Sequence, residues 1–126
     1  MRFLPQFLLT AVLSVVVLAM PARAQDNLYA NARSLVDRAQ NDLRHASHLA
    51  KDRDKERERY DNAQRSLSEF DKNLARNKFD KDKLDGAIND VKNVVDHNTL
   101  DPEARDRLSQ DLRDLRELRQ SRGAGY

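Results

Sequence analysis

The chain has no cysteine. That absence excludes disulfides and a lipid anchor on an N-terminal cysteine, although small exported domains often rely on disulfide staples. Stability has to come from packing alone. Glycine and proline are scarce, with three of each in 126 residues, and none of either falls between Leu28 and Leu74. A segment that long without either punctuating residue argues for continuous regular structure. No glycine-rich phosphate loop is present, and the serines at 34, 47, 66, 68, 109 and 121 lack a glycine-elbow context. Long apolar runs are also missing after the first 20 residues.

The start of the chain reads as an export address. Arg2 supplies a short positive region, Phe7 to Met20 is apolar, and Ala22-Arg23-Ala24 offers small residues where a signal peptidase cuts. The apolar run is shorter than the roughly 20 residues that cross a bilayer as a helix, so cleavage after Ala24 is expected. The expected organisation is a signal peptide at 1–24, a single helical domain at 25–122 and a flexible tail at 123–126. The implied location is periplasmic or secreted, with no membrane span after cleavage.

An excess of one charge is the next absence. The precursor carries 23 Lys+Arg against 21 Asp+Glu, but Arg2 and Arg23 leave with the signal and the balance becomes neutral. The alkaline pI therefore gives no reason to expect a nucleic-acid partner. The density of charge is high all the same: about four residues in ten of the mature chain, against about a quarter in an ordinary globular domain.

What the sequence does contain is helical periodicity. Alternating steps of four and three from Leu28 give Leu28, Ala32, Leu35, Ala39, Asp42, Ala46, Leu49, Arg53, Glu56, Tyr60, Ala63, Leu67, Phe70 and Leu74. All are apolar except Asp42, Arg53 and Glu56. The register before the run "KDRDKERER" at 51–59 is also the register after it. Within that run the signs alternate, so i,i+3 pairs are opposite and i,i+4 pairs alike, and contributions of about 0.2–0.5 kcal/mol each nearly cancel. Lys, Arg and Glu are good helix formers. The expectation is one long helix over about 27–76 whose middle is a solvated span, insensitive to the identity of its charges. The alternative is a bend near 51–59 that folds 26–50 against 60–76 in a four-helix bundle.

Two shorter helices follow. Asp80 can cap a helix at about 81–97, with Phe79 and Leu84 placed as a hydrophobic staple. Leu84, Ala87, Ile88, Val91, Val94 and Val95 give it an apolar face. Asn98 is expected to end it in the left-handed conformation that asparagine tolerates. Asp101-Pro102-Glu103 opens the last helix, about 102–120, with proline at the first helical position. The fold class is thus all-α, a thin helical bundle or coiled-coil hairpin. With only two short helices to cover the long one, the seam Leu28, Leu35, Leu49 is expected to need a partner, either a second copy in a homodimer or an unknown envelope protein.

Candidate chemistry is sparse. Asp42, His45, His48 and Asp52 lie at i,i+3 and i,i+4 spacings on one helical flank, where imidazoles and carboxylates can share Zn, Cu or Ni. In a helix this charged, such neighbours also arise as a solvated face, and no metal or other cofactor is assigned. His97, beside Asp96, suits a helix C-terminus through the helix dipole. Arg113, Arg116, Arg119 and Arg122, with Arg105 and Arg107, form a basic stripe balanced by Asp111, Asp114 and Glu117. Paired buried carboxylates or a nucleophile with its base need a pocket that excludes water, and thin helices faced with Leu, Val and Ala leave little room for one. Catalysis is not expected.

Leu100-Asp101-Pro102-Glu103-Ala104 resembles the L-T-P-E-Q signature of small all-helical periplasmic stress chaperones, which shield unfolding clients on a concave, partly charged helical surface. Leu100, Pro102 and Glu103 match; Asp101 and Ala104 replace the threonine and glutamine, and no second copy of the motif is present. A capped helix with proline at its first position accounts for the same three residues. The resulting expectation is an exported, non-enzymatic scaffold for protein–protein interaction or chaperone-like binding. Weak divalent-metal binding through His45 and His48 is the alternative.

Overall fold

Four helices account for most of the chain in a computed structural model that describes residues 29–50 and 53–121. The first, α1, spans Ala30–Ser47 and turns its small and branched residues Ala32, Leu35, Val36, Ala39, Leu43 and Ala46 inward. A 3-10 turn, His48–Ala50, follows. Helix α2 spans Asp54–Ala75 and buries Tyr60, Ala63, Leu67, Phe70 and Leu74. Helices α3, Lys81–His97, and α4, Pro102–Ser121, complete the bundle. The class is all-α, as the periodicity requires.

Consecutive helices pack side by side, and α1 also packs on α4, so each helix touches two neighbours around a closed ring. Ion pairs and hydrogen bonds show every neighbour to be antiparallel. Arg33 pairs with Asp71 and Gln40 with Ser68 across α1–α2; Lys83 with Glu69 across α2–α3; Asp85 with Arg119 across α3–α4. The centre is one apolar cluster built from all four helices, with Phe70, Leu43, Leu67, Leu84, Leu108 and Leu115 fully enclosed. Phe79 closes one end, edge-on to Phe70 at 5.5 Å and 5.9 Å from the ring of Tyr29.

The single helix expected over 27–76 is instead two helices folded back on each other, as in the alternative with a bend. Ser47 Oγ donates to the Arg44 carbonyl at 2.7 Å, occupying an acceptor of the last turn of α1. Arg53 is extended, φ −120° and ψ 91°, and α2 restarts at Asp54. Heptad register survives the reversal because each helix independently turns one face to the same core. Periodicity reports that face and carries no information about the direction of the next segment. The energies favour the fold-back: charged pairs contribute tenths of a kcal/mol, whereas each large apolar side chain enclosed contributes about 1.5–3 kcal/mol.

Leu35, expected on an exposed seam, is 8% exposed and belongs to the core; Leu28, and the side chain of Leu49, lie outside the described residues, as do the expected signal peptide at 1–24, Asp52 and the expected tail at 123–126. A homodimer along that seam would have to compete with the chain's own bundle for Leu35.

Helix ends follow local chemistry. Asp80 accepts from the Lys83 N–H at 3.1 Å, and Asp101 from the Ala104 N–H at 2.7 Å just before Pro102, so a helix cap does account for the Leu100–Ala104 stretch. The left-handed asparagine is Asn77, φ 60°, where Asn77 N–H bonds to the Leu74 carbonyl and Lys78 N–H to the Asn73 carbonyl, the paired bonds of a Schellman ending. Asn98, expected to fill that role, is extended at ψ 154°. Its side chain is needed elsewhere.

Candidate functional site

The α1–α2 reversal meets the α3–α4 loop, and the middle of the charged run makes the junction. Glu56, in the first turn of α2, accepts from the Thr99 N–H at 2.9 Å and from the Thr99 hydroxyl at 3.1 Å. Arg53 donates to the same hydroxyl and to Glu56. Asn98, 4% exposed, donates to the Glu56 carbonyl at 3.0 Å and accepts from Arg59 at 3.0 Å. The Thr99 backbone N–H, opposed by desolvation and helped by the Thr99 hydroxyl and Arg53, holds the Glu56 carboxyl below its ordinary range. Tyr60 is buried beside this junction, and burial pushes its hydroxyl up. The expected insensitivity of the run is therefore wrong at Arg53, Glu56 and Arg59, which bind a specific loop.

An open groove of about 890 Å³ lies at the α1–α2 reversal, lined by Ser47, His48, Asp54, Arg57, Glu58, Tyr60, Asp61, Asn62 and Arg65. Its charged rim carries both signs.

A second polar arrangement crosses the α1–α4 seam. Asp111 is 1% exposed. Arg38 Nε donates to Asp111 Oδ1 at 2.8 Å, and the same guanidinium reaches Asp114; Gln110 donates to Asp114 at 2.9 Å. Asp111 Oδ2 has no donor among the described residues. Its neighbour is the half-buried carboxyl of Asp42, so burial first and the Asp42 carboxyl second push Asp111 up to about 7, against the pull of Arg38. One carboxyl of the pair, Asp111, is buried, while Asp42 stays half-buried.

The four proposed metal-flank residues are not gathered. Asp42 and His45 share a recess of about 210 Å³ with Asp101, Glu103 and Arg107, whereas His48 opens on the larger groove and Asp52 is not described. Among the described residues no three His, Cys, Asp or Glu side chains are arranged to hold a metal ion. The arginine stripe is partly engaged: Arg119 with Asp85, Arg107 with Glu103, Arg113 with Gln110, and Arg105 with the Val95 carbonyl.

The residues that sequence reasoning missed carried a signal. Asp42, Arg53 and Glu56 are the polar interruptions in an otherwise apolar register, and each contributes to a tertiary polar contact. Asp111 falls between Leu108 and Leu115 on the apolar face of α4. A charged residue in apolar register points to a buried polar tie. Compared with known proteins, the chain matches no family model, no curated sequence and no solved structure.

Proposed function

We propose that the chain is an exported, non-enzymatic helical module that binds another protein of the cell envelope in the manner of a scaffold or chaperone-like binder. The observation that carries this reading is the open groove at the α1–α2 reversal. It is wide and shallow, its rim alternates Asp54, Glu58 and Asp61 with Arg57 and Arg65, and a filled core lies behind it. A surface of both signs suits a partner segment of mixed charge, because complementary pairs steer encounter and set register. The leader-like start of the chain supports placing that encounter in the periplasm or outside the cell.

The test is site-specific photocrosslinking in the native envelope. A photoreactive residue at Asn62, inside the groove, should yield a discrete crosslinked band that the same residue at Glu117, on α4, does not. Equal patterns from both positions, or none from Asn62, would defeat the proposal.

A further inference from the structure

We propose that Asp42 and Asp111 share one proton across the α1–α4 seam, and that losing this proton loosens the seam, so that the bundle carries a pH-responsive latch. Two ionised carboxylates offer acceptors only. An enclosed carboxylate oxygen facing a second carboxyl, with no other donor, is satisfied only when a proton lies between them. The position matters as much as the pair. The α1–α4 contact joins the first and last helices of the ring and is the one neighbouring contact not backed by a short connection.

The charged surroundings do not compensate for a second negative charge. From α1, Arg38 is the one cation bonded to Asp111 among the described residues, and it is half-exposed and divided between Asp111 and Asp114. His45 and Arg107 stand a turn away in the recess that Asp42 lines, together with Asp101 and Glu103. On α4 itself Asp114 adds negative charge. From α3, the polar contacts to α4 fall towards the two ends, Asp85 with Arg119 and the Val95 carbonyl with Arg105, with buried Val91 and Val94 between them. Helix α2 lies across the core from α4 and is not its neighbour in the ring. With the proton present, one carboxyl donates to the other. Without it, two like charges face each other with the Asp111 carboxylate enclosed at 1% exposure, and repulsion rises as the local dielectric falls.

The direction follows from linkage. The folded state holds the proton up to about pH 7, whereas an unfolded aspartate releases it near 3.8. The stabilisation is complete below the unfolded value and is lost as pH rises through the folded one. The unfolding constant should therefore climb with pH between about 4 and 7, by at most about tenfold per pH unit, and level off above.

The experiment compares urea unfolding of the purified chain and of Asp111→Asn from pH 4.5 to 8.5, and follows the aspartate carboxyl carbons of the wild-type chain by NMR. The amide keeps the shape and donates permanently, so its unfolding constant should be flatter with pH than that of the parent. The Asp111 carbon should titrate near neutrality, and Asp42→Asn should move that midpoint down. If Asp111→Asn does not fold, the wild-type carboxyl titration still decides. Parallel pH profiles, or an Asp111 carbon titrating in the ordinary carboxylate range, would overturn the latch.

Discussion

Replacing Asn98 with alanine should destabilise the bundle more than any exposed substitution, because one small amide joins two parts of the chain far apart in sequence. The variant loses the bond from Nδ2 to the Glu56 carbonyl and the bond from Arg59 to Oδ1, both 3.0 Å. A neutral bond contributes about 1 kcal/mol net, and one from a charged donor about 1.5–3 kcal/mol. Two features reduce that sum: the Glu56 carbonyl is also in position for an ordinary helical bond, and Arg59 is half-exposed and regains water. A loss of about 2 kcal/mol is expected, which for a domain of this size lowers Tm by about 8–16 °C. Urea unfolding followed by helical circular dichroism measures it. The midpoint should fall with little change in slope, since the surface exposed on unfolding is nearly the same. Thr99→Val, which removes the hydroxyl and keeps the N–H that binds Glu56, should lose less. An Asn98→Ala change within about 0.5 kcal/mol of the parent, the range of ordinary surface positions, would refute the idea that this amide holds the junction.

Asp54→Pro should be tolerated within about 0.5 kcal/mol, because position 54 is the first of α2 and Arg53 before it is already extended; a loss near 3 kcal/mol in thermal melts would mean an unbroken helix through this region. Gly86→Ala should stabilise by about 0.5–1 kcal/mol, since the position is helical and exposed and a methyl there meets nothing within 4 Å; an unchanged or lower Tm would contradict that. Glu56 acts in the opposite sense to Asp111. Its carboxyl is held below the ordinary 4.5, so its contribution is present above that value and lost as pH falls through the lowered one. Glu56→Gln should therefore show a shallower loss of stability below about pH 4 than the parent, read by acid titration of ellipticity, and identical acid transitions would remove Glu56 from the junction.

Much of the local structure was legible in the sequence. The ends of α3 and α4 follow from Asp80 as a cap and Pro102 at a first helical position, because capping depends on neighbours within one turn. The inward faces follow from spacing: every apolar residue in the alternating count whose side chain is described is buried. That inference needs only the pitch of a helix. Even the unexpected polar contacts left a trace, as charged residues standing where the register asked for apolar ones.

What the tertiary structure decided is how these pieces meet. Residues 48–53 contain no proline or glycine, and their local preferences differ by tenths of a kcal/mol between helix and turn. Burial of the facing rows Leu35 to Ala46 and Tyr60 to Leu74 outweighs such preferences several times over, and it is earned only after the chain reverses. The same holds for Asp111. Its sequence neighbours are those of a solvated acidic stripe, and only the approach of α1, bringing Arg38 and Asp42, seals it from water and gives its charge a cost. Helix faces are set by interactions along one turn, whereas a reversal or a buried charge depends on surfaces far apart in the chain.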